Sequence, residues 1–378
     1  MSHDLHRAAR KDDHVRLAEE QQLRLPPSEF DDLEFVHHAL GGVSTEEVEL
    51  SVQVHRWRWP TPFYVNGMTG GTDLTGRINR ELAVAARETG MPMACGSVSI
   101  ALDDPDAARG FTVIREENPD GFVMANLGAG RSGEDAVRAV ELLGADALQL
   151  HLNAVQETAM PEGSRDFSDW RRSVAEVVAA SPVPVVVKEV GFGLSRSTLE
   201  VLADLGVPVA DVSGRGGTDF LSIENARRDL LTGPDYSVLS GFGQSALACL
   251  LDAPAHAPVL LASGGVRNPF DVVKALASGA RAVGVAGTFL KTVLDGGAEA
   301  LVPLVHAWAG QTAAILALLG ARTPADLGRT DLIVRGRLGE FCRLRGVDLV
   351  QLSQRSSAPR PSWSAPSPAH PGNEDRTP

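Results

Sequence analysis

Eight short apolar runs recur between residues 63 and 287, and nearly every one ends in glycine or in a polar residue. They are FYVNGM (63–68), PMACGS (92–97), FVMANLG (122–128), ALQLHLN (147–153), PVVVKEVG (184–191), PVADVSG (208–214), PVLLASGG (258–265) and AVGVAG (282–287). Strands covered on both faces read as unbroken Val/Ile/Leu/Ala runs, because neither face meets water. Between them lie stretches with helical spacing, among them NRELAVAARETG, SGEDAVRAVELLGA, SRSTLEVLADLG and NPFDVVKALASGA. Strand then helix, repeated along the chain, predicts a (β/α)8 TIM barrel of class α/β over residues 63–295. In that architecture the site lies at the C-terminal ends of the strands, so the run endings are the site inventory.

The flanks read differently. Residues 1–62 form an N-terminal arm and lead-in: a charged helical arm over 1–24, then turn signals at Pro26–Pro27 and Gly41–Gly42. Residues 296–354 read as extra C-terminal helices, with Asp and Thr caps around TPADL (323–327). The tail from Arg355 to 378 is rich in Pro and Ser and nearly lacks aliphatic residues. Such a segment buries too little surface to offset its ordering entropy, which predicts disorder. Residues 301–321 carry no formal charge and have the length of a membrane span, yet Pro303, His306, Gly310, Gln311 and Thr312 interrupt them. A buried helix broken near Ala309–Gly310 is the expectation. Two connections are long, 154–183 and 215–257, and long loops at the top of a barrel generally bind or cover ligands.

Composition narrows the partners. A net charge of −13 on 378 residues argues against nucleic acid and anionic membranes, while leaving room for a local basic pocket that takes a small phosphate. Cys95, Cys249 and Cys342 give neither a disulfide framework nor metal-ligand spacing, and read as small buried hydrophobes. The first twenty residues are charged throughout and contain no apolar core of a secretory signal, so a cytoplasmic location is expected.

The strand endings carry the chemistry. SGGVRNP (263–269) and VAGTFL (285–290) are glycine loops ahead of helices after consecutive strands, where barrels bind phosphate on backbone N–H groups. MTGGT (68–72) is a third small-residue loop. Together with Ser97, Asn126, Lys188, Ser213 and Thr218 these supply donors and acceptors from several strand ends, a ring that suits a planar, heteroatom-rich ligand with one phosphate. FMN fits that description. Lys188 sits in an apolar strand where a lone cation is costly. Pairing with an acid such as Asp211, a Schiff base, or holding negative charge on a flavin ring are the three roles open to it. HLNAVQE (151–157) is the densest polar cluster. His151 and Asn153 share a face by strand alternation, Gln156 follows over the mouth, and Glu157 beside a phosphate site is a candidate Mg2+ ligand. Arg10, Lys11 and His14 read, on charge alone, as a solvated arm.

With these residues in view, the chain resembles the flavin-dependent type II isopentenyl diphosphate isomerases over about residues 8–350. The resemblance rests on RKDDHVRLA, MTGGT, the GS of ACGS, ANLGA, HLNAVQE, PEGSRDF, VKEVGFGLS, VSGRGGTDF, ASGGVRNP and GVAGTFL, all in that order. It implies a reversible 1,3-proton shift between isopentenyl and dimethylallyl diphosphate, with reduced FMN as acid–base group, Mg2+ on the diphosphate and NADPH as reductant. It implies a cytoplasmic homo-oligomer, tetramer or octamer, whose partner is the prenyl diphosphate substrate alone. It moves Arg10, Lys11 and His14 from solvated arm to substrate contacts. Gln156 becomes a substrate-contacting catalytic residue, with His151 and Asn153 beside it, and Glu157 the metal ligand. Met68, Thr69, Gly70, Ser97, Asn126, Lys188, Ser213, Thr218, Gly265, Val266, Arg267, Ala286 and Gly287 become its FMN contacts. Two departures stand out: Val98–Ser99 where relatives often have Gln–Arg or Met–Arg, and EGSR (162–165) for an EGDR-like turn. The alternatives are a flavin oxidoreductase acting on 2-hydroxy acids, and a non-catalytic paralogue that binds flavin or prenyl diphosphate.

Overall fold

The structure is a computed structural model and describes residues 2–22, 28–68, 70–227 and 234–357. Each apolar run contains one strand: β1 Phe63–Val65, β2 Met93–Ala94, β3 Val123–Gly128, β4 Ala147–Leu152, β5 Val185–Glu189, β6 Val209–Asp211, β7 Val259–Ser263 and β8 Val283–Val285. They close in sequence order into one parallel barrel, with Val285 of β8 paired to Val65 of β1. Alternation then sorts the side chains. In β4, Leu148 and Leu150 face outward into the main core under the helices, while Ala147, Gln149 and His151 face the axis.

The surrounding helices begin and end on local signals. Asp73–Thr89 starts at Thr72, whose hydroxyl accepts the Thr75 N–H, and stops at Gly90 in the left-handed region (φ 67°). The bottom of the barrel is sealed by a hairpin that the sequence reading treated only as lead-in. Val52–Val54 pairs antiparallel with Trp57–Trp59. Trp59 packs its ring 5.5 Å from Tyr64 and 5.2 Å from Phe122, over an interior layer of Ala94, Met124, Ala147, Val186, Val209, Leu261 and Ala282.

Three expectations change. The long apolar helix runs Gly287–Leu318 and is broken at Gly296–Gly297, not at Ala309–Gly310. Gly297 has φ 64°, which a side chain resists, and Glu81 accepts the Ala298 N–H at 2.7 Å to start the second segment. A single glycine at 310 leaves the helix intact, at a cost that the burial of Leu301, Val305, Trp308 and Leu316 outweighs. The C-terminal region is not wholly helical either, since Leu332–Val334 pairs with Leu33–Phe35. Order also extends past Arg355: its guanidinium donates to the Ala277 carbonyl at 2.7 Å, and Ser356 binds Asp331. The remainder of the tail, 358–378, lies outside the described residues, as do Pro26 and Pro27.

Candidate active site

The N-terminal helix α1, Ser2–Gln22, lies across the barrel mouth and is tied down from Arg10 to Gln21. Arg10 pairs with Glu162 at 3.0 Å, Asp12 accepts from the Thr72 hydroxyl at 2.6 Å, and His14 meets Glu224 at 2.9 Å. Gln21 exchanges two hydrogen bonds with the backbone of Asp219. Beneath α1 is a cavity of about 550 Å3 at the C-terminal strand ends. Arg10, Lys11 and His14 line it together with Met68, Ser97, Asn126, His151, Asn153, Gln156, Glu157, Lys188, Ser213 and Thr218. Gly265, Val266, Arg267, Ala286 and Gly287 line its far end. Gly70 is the exception. It lies against Phe111, whose ring would be 2.1 Å from an added Cβ, so its smallness serves packing. Thr69 lies outside the described residues.

The floor is a buried polar network. Asp211 is fully buried and accepts from the Tyr64 hydroxyl (2.9 Å), the Ser263 hydroxyl (2.8 Å), the Ser213 N–H (3.0 Å) and Asn66 Nδ2 (3.2 Å). Lys188 is opposite Asp211 in register, yet donates to Asn66 Oδ1 at 3.0 Å, so it is not closed off in an ion pair. Burial pulls its pKa down, against the raising charges of Asp211 and Glu189. A buried amine with donors to spare is suited to an anionic or electron-rich group above it. His151 is held down to about 3 by burial and by the charges of Lys188 and Lys11, so its ring is neutral. Burial and Arg10 lower Lys11 to about 8.

The second cluster joins the two long connections. Helix α2, Ala154–Ala159, carries Gln156, and helix α3, Phe220–Arg227, carries Glu224. Gln156 donates to the Glu224 carboxylate at 3.0 Å, with Arg227 on its other oxygen. Burial raises the Glu224 carboxyl, but hydrogen bonds from His14 and Gln156 and the charges of His14 and Arg227 outweigh it, and the group falls to about 2. For His14 burial dominates, and its pKa goes down despite Glu224. Gln156 and Arg227 hold Glu224 as a carboxylate, and the His14 imidazole, its basicity lowered by burial, lies against it at 2.9 Å.

The glycines at the far end make a cradle. Gly264 (φ 98°) and Gly265 (φ 77°) abut the chain after β6: an added Cβ would lie 1.8 Å from the Gly214 carbonyl and 2.9 Å from Gly216. Ser213 takes φ 40°, a strained value for a side-chain-bearing residue, fastened through its N–H to Asp211. Arg267 supplies less than its position suggests, because its guanidinium is engaged by Asp31 (2.6 Å) and Asp271 (2.8 Å), which also raise its pKa. Near Ser99 the cavity wall contains Arg131, itself paired to Asp103 at 2.8 Å.

Comparison with known proteins fits this arrangement. Residues 145–334 match the FMN-dependent dehydrogenase family. Solved structures that match include a flavocytochrome b2 variant with sulfite bound (TM-score 0.60, 20% identity, 79% of this chain and 75% of that one). A mandelate oxidase variant with benzaldehyde also matches (TM-score 0.58, 20% identity, 85% of this chain and 90% of that one), and both show the fold alone. Sequence similarity is closer to isopentenyl-diphosphate delta-isomerases. The Kitasatospora griseola protein of that name is 56% identical over 93% of this chain and 96% of its own length, and that of Staphylococcus haemolyticus 43% over 92% and 99%. The chain belongs to the flavin-dependent type II isopentenyl-diphosphate delta-isomerase family.

FMN suits an isomerase of this construction. The glycine cradle leaves room where any Cβ would collide, and Lys188 offers a buried cation beside it. For a metal the fit is half a site. Among the described residues no trio of His, Cys, Asp and Glu gathers closely enough to hold an ion alone. Glu157 stands at the rim, oriented by Asn153 Nδ2 (3.1 Å) and the Ser164 N–H (2.8 Å). The sequence reading missed Asn66, Gln149 and Glu224. The first two are buried polar residues in apolar runs, a signal open to notice. Glu224 looks like an ordinary helix-surface acid, and only its burial reveals it.

Proposed function

We propose that the protein interconverts isopentenyl and dimethylallyl diphosphate by a 1,3-proton shift, with reduced FMN on the Lys188 side and Mg2+ shared between Glu157 and the substrate diphosphate. The observation that carries this reading is the Gln156–Glu224–His14 cluster. It fixes two cavity-lining residues, Gln156 and His14, on the buried carboxylate of Glu224. When bound, reduced flavin supplies an electron-rich acid–base face against the alkene. The chain's own residues do the rest. Lys11 and Arg10 reach the cavity as cations for a diphosphate, and Arg10 Nε is a buried donor with no partner among the described residues. Diphosphate binding far from the reacting carbon gives the positioning energy that a weakly basic alkene needs. Glu157 offers one carboxylate, and substrate phosphates complete the shell that Mg2+ prefers. Gln156, held by Glu224, presents its amide over the substrate, and α1 excludes water.

An oxidoreductase acting on 2-hydroxy acids would need a free cation near β7 to hold the substrate carboxylate, and Arg267 is committed to Asp31 and Asp271. The test is anaerobic incubation of purified protein with isopentenyl diphosphate, FMN, NADPH and Mg2+, followed by detection of dimethylallyl diphosphate. Conversion is expected; none, with flavin demonstrably bound, overturns the reading. Glu157→Gln should weaken the Mg2+ dependence and leave FMN absorbance intact.

A further inference from the structure

We infer that Asn66 and Gln149 are positioning residues that place the single ring proton of His151 on Nδ1, acting through a one-way chain of buried carboxamides. Asp211 starts the chain. A carboxylate only accepts, so Asn66 must turn its amino group toward it (Nδ2 to Oδ2, 3.2 Å). Two further donors agree: the Gly67 N–H and the Lys188 ammonium reach Asn66 Oδ1 at 2.9 and 3.0 Å, and neither can accept.

Direction then passes outward. Gln149, fully buried on β4, points Nε2 at Asn66 Oδ1 across 3.4 Å, which leaves its Oε1 to accept from Asn126 Nδ2 at 3.0 Å. Asn126 consequently shows His151 its oxygen, 2.8 Å from Nδ1. An amide oxygen cannot donate, so Nδ1 carries the proton and Nε2 is the ring's acceptor. These amide directions are the ones that match every donor to an acceptor. Reversing any one of them sets two donors or two acceptors face to face inside the barrel, where an unmade hydrogen bond is costly. His151 lines the cavity, so the chain decides what ligands meet there: a neutral ring that accepts a hydrogen bond or a proton. The isomerase reading bears only on what His151 does next; the position of the proton is independent of it.

The experiment uses the full-length, flavin-loaded protein labelled with 15N in histidine, with His151→Gln to assign the His151 signals by their disappearance. Solid-state 15N NMR then reads which ring nitrogen is protonated. Wild type should show a protonated Nδ1 and a bare Nε2. Gln149→Leu, which frees Asn126 to rotate, should show both tautomers in comparable amounts. Gln149→Glu should restore the wild-type pattern, because a carboxyl still accepts from Asn126. Asn66→Leu, which removes the acceptor that orients Gln149, should likewise show both tautomers. A proton on Nε2 in wild type overturns the inference, as does a Gln149→Leu spectrum identical to wild type. If Asn66→Leu does not fold, the two Gln149 variants decide alone.

Discussion

The two ends of the barrel are built from the same strands and obey opposite rules. At the bottom, inward positions are Tyr64, Ala94, Met124, Ala147, Val186, Val209, Leu261 and Ala282, sealed by the Trp57–Trp59 strand. Two residues further along β4, inward positions turn polar, through Gln149 to His151, and neighbouring strands add Asn126, Lys188 and Asp211. The bottom gains stability from every side chain it buries. The top buries groups that each cost free energy unless a partner meets them, and meets nearly all of those costs with a single connected network. Stability and chemistry are thus separated by about 7 Å of strand, two residues at the usual rise.

That contrast can be broken first at the bottom. Trp59→Ala removes a side chain that is 1% exposed and should cost about 3–5 kcal/mol in urea unfolding. The folded fraction should keep its flavin affinity and turnover, and a turnover defect there would show that the two ends are coupled. At the top the pattern should invert. Lys188→Met should lower kcat by about 10^2–10^3-fold, on the scale of losing a preorganised charge-stabilising donor, while leaving the unfolding midpoint equal or higher. A collapse of the midpoint would mean that Lys188 is structural.

Glu189 sharpens the border between the two ends. Burial pushes its carboxyl up to about 7, although the N–H groups of Val190, Gly191 and Phe192 oppose this. A folded pKa above the unfolded one favours the protonated fold, so this contribution is complete below about pH 4.5 and lost as pH rises through 7. Wild type should lose on the order of 1–3 kcal/mol over that window, and Glu189→Gln should flatten the slope in unfolding titrations. The smallest effect concerns Lys11. With its pKa lowered to about 8, binding of a diphosphate should weaken several-fold as pH rises from 7 to 9, measured by calorimetry with inorganic pyrophosphate. Lys11→Arg, charged throughout, should remove the decline.

Much of this was legible along the chain, for identifiable reasons. Both-face burial makes strands readable as apolar runs, so each of the eight barrel strands lies inside the run that predicted it. The break in α4, Gly287–Leu318, falls outside the uncharged stretch 301–321 in which the sequence suggests one, and the capping Glu81 is 217 residues away from the N–H it accepts. The bottom hairpin does alternate, in VQVHRWRW, but without a visible partner surface its buried side could not be distinguished from its wet one. At the mouth, the glycine loops and HLNAVQE announced themselves by being polar or bare where a core wants neither. Reading Arg10, Lys11 and His14 by charge alone failed, because charge patterning sees the helix and not the cavity it covers.

What the sequence determined by itself is the list of barrel strands, their order and the residues left at their ends, because period and composition are local properties that each segment carries alone. What the tertiary structure decided is which of those residues face one another. Glu224 meets Gln156 and His14, Asn66 turns its oxygen to Lys188, and that orientation imposes a direction on a chain ending at His151. Such pairings join residues from about 25 to more than 200 positions apart, and a hydrogen bond depends on ångström-scale placement that only closure of the barrel supplies.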